Sequence, residues 1–457
     1  MRPSRYLTLL STNPAFTRLF AAQLVSFAGD WFATVAILGL VLEVTGSPAM
    51  ASLVLVIQTG AFAVASPLAG VLADRLDRRR LMVVADLARV PVALGFLLAG
   101  DAGTLWIAFV ALALLSFGAA IFEPTSTASL PNLVRPEELP EANVLIGSAW
   151  GTMLAVGAAI GGLVAALFGR DVAFVVNAAS FGLSALLIVG IDRPFGGRQA
   201  GAHEMSHGGM RGLVESVRVV LRFARGDRRL SALLLSKTTF GVGTGVIVLL
   251  ALYGREEFAA GDLGIGILFA ARGLGALIGP FLARAAVGTS DRGLILGIAA
   301  SFGAYALGYA VLPLTPVLWL AAGCVFVAHL GGGAQWTLST YGLQRAAPDA
   351  IRGRVFSFDF GLVTLTIAAS TLATGWIAET VPIRVATWLV VGVAALAALG
   401  WVRFSRPLLR RGVPASSAGR DPGEAVSAVR PGERGRQLGD EAAHGSVPEQ
   451  AEGDQLH

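Results

Sequence analysis

The chain has 457 residues, 54% hydrophobic and only 14% charged; a soluble globular chain carries about 25% charged residues, so a water-soluble monomer is excluded. Its formal charge of +5 rests almost wholly on arginine, Lys237 being the sole lysine, and in so apolar a chain that charge reports loop orientation and contact with anionic lipid rather than nucleic acid. A single cysteine, Cys324, excludes an internal disulfide framework.

Met1 to Phe16 carries two arginines but no apolar run ending in a small-residue cleavage site, so no cleaved signal is expected. A spanning helix needs about 20 mostly apolar residues. Twelve such segments follow, at 16–42, 50–73, 80–99, 104–125, 141–168, 171–190, 230–254, 262–284, 291–312, 316–343, 354–379 and 382–404. Short connectors, Gly100 to Gly103 and Pro313 to Pro316, force antiparallel neighbours, and 57 glycines suit close helix packing. The expected fold class is therefore an all-α membrane protein. It divides into an N-terminal six-helix half at 1–190, a linker at 191–229, a second six-helix half at 230–404 and a disordered tail at 405–457. With both termini in the cytoplasm, the inner loops hold 18 basic residues and the outer loops three, Arg170, Arg255 and Arg384. The reverse orientation inverts that count, so a multi-pass protein of the cell membrane with cytoplasmic termini is expected.

In the first segment, Asp30 lies about 15 residues in, or about 22 Å along the helix. A charge at such depth is costly and by default functional, which makes Asp30 the candidate proton carrier, with a structural carboxylate as the alternative. Arg272, mid-way along the eighth segment, and Lys237, about two turns into the seventh, are the candidate counter-ions. Gln23, Gln58, His329 and Gln335 are polar groups expected to face a central cavity, and with Lys237 and Arg272 they form the candidate substrate set.

Between segments two and three, Gly70-Val-Leu-Ala-Asp74-Arg75-Leu-Asp77-Arg78-Arg79-Arg80 packs six charges into seven positions, which a hydrophobic chain can hold only at a membrane surface. On the third segment, Asp86 and Arg89 stand three residues apart, spaced to pair with each other. In the fifth, Gly157-Ala-Ala-Ile-Gly161-Gly162 follows Gly147 and Gly151, a row that lets two helices approach closely and slide. Within the linker, His203 and His207 are four apart, but nothing nearby completes a metal site. Residues 211–225 place Leu213, Val217, Val220 and Leu221 on one helical face and Arg211, Arg218, Arg222 and Arg225 on another, a pattern expected of a helix in the headgroup region. A weak internal repeat relates Pro67-Leu-Ala-Gly70 to Pro280-Phe-Leu-Ala283, and the loop after segment four to that after segment ten.

Gly70, Asp74, Arg75 and the paired arginines resemble the loop 2–3 signature of the major facilitator superfamily, with Asp77 where a second glycine is usual. The fifth-segment glycines are similar to a Gly-Pro-x-x-Gly-Gly motif of its exporter branches, with Ala158 replacing the proline. Asn13 to Trp31, Ala85-Asp86-Leu-Ala-Arg89, Ala128 to Val134 and Arg352 to Ser357 resemble the drug:proton antiporter branch that includes macrolide efflux proteins and the enterobactin exporter. The resemblance covers about residues 13–404 and implies the major facilitator fold, proton-driven export of amphiphilic small molecules of drug, macrolide or siderophore type, and no covalent chemistry. It also implies an inner gate in which Asp74 meets the start of the eleventh segment, near Arg354 and Asp359, with Arg75, Arg78, Arg79, Arg80, Asp86 and Arg89 around it.

No phosphate-binding glycine loop, cofactor site or metal cluster is expected, and the chain does not read as an enzyme. The expected partners are a small-molecule substrate, protons and the lipid bilayer, with the protein a monomer. Rival readings are an uptake permease or lysolipid mover of the same fold, and, from another class, a membrane-embedded enzyme or receptor.

Overall fold

The computed structural model describes residues 5–195, 210–287, 290–348 and 351–410. Within them the side chains of Pro67, Val71, Asp74, Arg75, residues 210–214 and Arg410, and the surroundings of Gly70, lie outside the described set, as do His203, His207 and residues 411–457. Fifteen α-helices and no strand are found among the described residues. They are α1 (Arg5–Thr12), α2 (Pro14–Thr45), α3 (Pro48–Arg75), α4 (Arg78–Leu94), α5 (Leu105–Leu133), α6 (Leu139–Phe168), α7 (Arg170–Val189), α8 (Met210–Gly226), α9 (Arg228–Gly243), α10 (Val246–Leu252), α11 (Gly261–Val287), α12 (Asp291–Val311), α13 (Leu318–Ala346), α14 (Arg352–Thr380) and α15 (Ile383–Arg410). Twelve spans result, α9 and α10 together forming the seventh, and all are long and apolar enough to cross a membrane.

Local chemistry sets the ends of these helices. Asn13 and Ser47 cap α2 and α3 with side-chain oxygens 3.1 Å from the amides of Phe16 and Met50, each ahead of a proline at the first helical position. Gly46, with φ of 60°, ends α2 in the left-handed conformation that its lack of a Cβ permits. Asp77 accepts from the Arg80 amide at 2.8 Å and starts α4, so the residue that departs from the usual loop motif serves as a helix cap. The seventh span breaks at Thr244–Gly245. There the Ser370 hydroxyl donates to the Val242 carbonyl at 2.6 Å and accepts from the Gly245 amide at 3.0 Å, meeting the backbone groups that the break frees.

The glycine row of α6 is a two-sided seam. A Cβ on Gly161 would stand 2.7 Å from the Cα of Phe32 on α2, and one on Gly162 would stand 2.8 Å from the Cα of Gly266 on α11. Only hydrogen at these positions lets α6 lie against α2 on one side and α11 on the other, joining the first six spans to the last six. A second contact between the two groups runs between α3 and α14.

Two expectations shift. Val220 of α8 is fully buried and Ala224 nearly so, packed with Leu230, Leu233, Val355 and Trp401. The apolar face of this helix thus docks, at least in part, on the protein rather than lying wholly in lipid headgroups. The last span also continues past residue 404 to Arg410, because Leu408 and Leu409 pack against that same cluster.

Candidate functional site

Asp30, expected to stand opposite Arg272 or Lys237, is held instead by Arg89. Nη2 of Arg89 donates to both carboxylate oxygens of Asp30 at 2.8 Å, while Nη1 reaches Asp86 Oδ1 at 3.2 Å and Ser26 Oγ at 3.1 Å. The guanidinium also lies 3.8 Å from the centroid of the Phe181 ring on α7. The side chains of Arg89 and Asp86 are 3% and 0% exposed, whereas Asp30 keeps 24%. Of the two acids, Asp30 is thus the one a proton can reach. A Cβ on Gly118 of α5 would stand 2.6 Å from Arg89 Cδ, so that glycine makes room for the arginine. Glu123, one further turn along α5, is within electrostatic reach of Asp30 and Arg89. As an acid inside a span, it carried in the sequence the same signal that singled out Asp30. Asp86 and Arg89 do pair, but with Asp30 inside the bundle rather than with the loop charges; Arg89 is 11 residues into α4, about 16 Å from its start.

Lys237 pairs with Asp359 at 2.6 Å, both 5% exposed or less, and its ammonium lies 5.0 Å from the Trp336 ring centroid. Asp359 was expected at the gate beside Arg354. It instead faces inward, seven residues and about 10 Å into α14, because a buried carboxylate needs a cation and Lys237 supplies one. Arg354 is exposed at the start of α14. Of the loop arginines, Arg78 donates to the Ala128 carbonyl at 2.7 Å and Arg79 to the Val189 carbonyl, while Arg80 is exposed. Arg78 and Arg79 thus tie the start of α4 to carbonyls of α5 and α7.

The expected cavity-facing polar groups are mostly spent on helix–helix bonds. Gln23 Oε1 accepts from Ser126 Oγ at 3.0 Å, and His329 Nε2 and Tyr309 Oη are 2.8 Å apart, with Gln23 and His329 each 4% exposed. Gln335 is fully buried without an assigned partner. Gln58, half-buried, donates to Thr34 Oγ1 at 2.9 Å. A polar group inside the hydrocarbon finds a partner on the next helix when one is in reach.

Arg272 of α11 is different. Its guanidinium carbon lies 5.9 Å from the ring centroids of both Trp31 and Trp150 and 5.7 Å from that of Phe269. No carboxylate among the described residues is within ion-pair distance of it.

A further cluster went unrecognised in the sequence. At the face opposite the arginine-rich 76–80 turn, Arg170 bonds Asp262 at 2.7 Å and Glu43 at 2.8 Å. Arg255 bonds the same Glu43 at 2.8 Å and lies 3.4 Å from Asp262. Glu379 of α14 accepts from the Ala49 amide at 3.1 Å and from Ser47 Oγ. These contacts join the first six spans to the last six. The available signal was that four charges, two of each sign, end or begin spans on one face.

A family model described as "Transmembrane secretion effector", MFS_3, matches residues 9–429. The multidrug efflux pump Tap of Mycobacterium tuberculosis (strain ATCC 25618 / H37Rv) is 31% identical over 364 residues, covering 75% of this chain and 82% of that protein. The uncharacterized MFS-type transporter YfiS of Bacillus subtilis (strain 168) is 27% identical over 186 residues, 40% of this chain, and the aligned stretch spans only 44% of that relative's length. Among solved structures, a bacterial homologue of the human lysosomal transporter Spinster, in an inward-facing and unoccupied conformation, superposes with a TM-score of 0.67. It is 16% identical, over 91% of this chain and 100% of that one, a likeness that speaks for the fold alone.

Proposed function

This chain belongs to the MFS_3 family of the major facilitator superfamily, a multi-pass membrane transporter rather than an enzyme, and from that premise we propose that it is a proton-coupled exporter of amphiphilic small molecules working by alternating access. The observation that carries the reading is the Asp30–Arg89 pair: a carboxylate about a quarter exposed, chelated by a buried arginine that has a second acid, Asp86, within reach. A proton arriving on Asp30 cancels its charge attraction for Arg89, which then keeps Asp86 as its one ionic partner and the neutral Ser26 hydroxyl, so the tie between α2 and α4 loosens. Trp31, the next residue on α2, turns about 100° away and packs against Trp150 of α6 and Phe269 of α11. Loosening α2 on one side therefore alters the aromatic wall on the other, and this links proton and substrate.

Export, rather than uptake, is supported by the efflux pump among the relatives. By the excess of inner-loop arginine, the 76–80 turn faces the cytoplasm of a cell-membrane protein. The Glu43–Arg170–Arg255–Asp262 network then closes the outer face, and Asp74 at the end of α3 is the proposed inner latch against the start of α14.

The test is proton-driven movement of the neutral amphiphilic dye N-phenyl-1-naphthylamine in proteoliposomes under an imposed pH gradient. Movement against the proton flux that D30N abolishes is the expected result. Movement with the proton flux points to uptake, and gradient-driven movement unchanged by D30N removes Asp30 as the carrier.

A further inference from the structure

We propose that Arg272 and the rings around it form a binding site for the carboxylate of an amphiphilic substrate whose flat apolar body stacks on Trp31 and Trp150. The proposal rests on the exporter reading above for the role of the site, and deepens it by naming a substrate class.

Two of the deep cations are matched by carboxylates. Arg89 has Asp30 at 2.8 Å and Lys237 has Asp359 at 2.6 Å. Arg272, placed mid-way along α11, has no carboxylate within ion-pair distance among the described residues. Its Nε is buried with no hydrogen-bond partner. A guanidinium offers five N–H donors and accepts nothing, and the aromatic faces beside it supply attraction but no acceptor. Rings alone therefore leave the buried part of the guanidinium without an acceptor. Tyr305, Tyr309 and His329 of the neighbouring α12 and α13 supply phenols and an imidazole, not an anion; the Tyr305 hydroxyl donates to the Gly243 carbonyl at 3.2 Å, and the Tyr309 hydroxyl and His329 Nε2 are 2.8 Å apart. What the site lacks is an anion.

Its shape says which kind. The planar fork of arginine matches a carboxylate with two parallel hydrogen bonds. Trp31 and Trp150 meet edge to face with centroids 6.0 Å apart, and Phe269 stands 6.2 Å from Trp31, so one wall is aromatic. The box is not sealed, for Trp150 keeps 43% of its surface and Trp31 and Arg272 are half-buried. Its members come from α2 and α6 on one side and α11 on the other. An occupant would touch both groups of six spans, as a ligand must if the two groups move around it.

The experiment uses the purified full-length protein and two labelled probes of equal shape, 2-naphthoate and its uncharged counterpart 2-naphthamide, with binding measured by scintillation proximity. Wild type is expected to bind the carboxylate at least tenfold more tightly than the amide. R272Q should reduce that preference to within about twofold while its melting temperature stays near that of wild type. R272K, which keeps the charge but not the fork, should hold an intermediate ratio, and it serves as the deciding variant if R272Q does not fold. Equal affinities in wild type, binding of neither probe, or an unchanged ratio in folded R272Q or R272K would overturn the site. Proton-driven movement of the neutral dye in that case leaves the exporter reading standing. A carboxylate preference without any proton-driven movement overturns the exporter reading and leaves the site.

Discussion

Arg89 Nη2 stands 2.8 Å from each carboxylate oxygen of Asp30, and its sister nitrogen Nη1 stands 3.2 Å from Asp86. One buried cation thus serves two acids on two helices, and the acids are not equivalent. Asp86 is sealed by packing, while Asp30 keeps a quarter of its surface. On the proposed reading, a proton entering this group goes to Asp30 and leaves Arg89 paired with Asp86.

D30N is expected to fold and to exchange substrate across a membrane without a gradient, while losing the response to an imposed pH difference. R89Q should behave differently, because it leaves Asp86 buried without a cation and Asp30 without its chelator. Breaking a buried pair from one side costs about 3–5 kcal/mol, so R89Q should melt well below D30N in detergent. Equal melting temperatures for the two variants would show that Arg89 carries little of the fold.

Gly162 and Gly147 on α6 form a matched pair for the seam. A Cβ on Gly162 would lie 2.7 Å from the Asp262 carbonyl oxygen and 2.8 Å from Gly266 Cα, backbone atoms that cannot step aside, whereas one on Gly147 meets nothing within 4 Å. Overpacking of this kind costs about 1–3 kcal/mol. G162V should slow turnover severely and lower thermal stability, and G147V should do neither. Similar transport rates for the two in proteoliposomes would show that α6 and α11 need not pack this closely.

At the far face, D262N removes an acid that is 8% exposed and bonded to Arg170, whereas E43Q alters one that is 57% exposed. Exposed pairs are worth about 0.2–1 kcal/mol and buried ones more. D262N should therefore shift the population toward states open at this face, and E43Q should shift it less. Distances between spin labels on the ends of α2 and α14 report it. The reverse order of effect would assign the closure to Glu43.

The proposed latch at the opposite face turns on Asp74, whose carboxylate would be favoured at the N-terminus of α14 by about 0.3–1 kcal/mol, and up to about 2 when partly buried. D74N should raise the fraction open at the arginine-rich face and slow turnover, with little change in affinity measured from that side. Unchanged label distances between α3 and α14 would leave Asp74 with a role in topology alone.

The number of the twelve spans was legible because a bilayer imposes a single demand on each segment, about 20 apolar residues with every backbone group bonded within the helix; their ends were less so, the fourth span running on from the expected 125 to Leu133 and the last from 404 to Arg410. The loop motif and the MFS family were legible because they are local in the chain. Pairing was not. Asp30 and Arg89 are 59 residues apart, Lys237 and Asp359 are 122 apart, and Arg170 and Asp262 are 92 apart. Depth along a helix says that a charge needs a partner, but not which helix rotates toward it. That choice is made by packing, where Gly118 admits Arg89 and Gly161 and Gly162 bring α2, α6 and α11 together. The same packing consumed Gln23 and His329 in helix–helix bonds and left Arg272 among rings. Sequence by itself thus determined which residues are costly in a membrane, and tertiary structure alone decided how each cost is met, because ion pairs form over a few ångströms between helices whose neighbours no periodicity specifies.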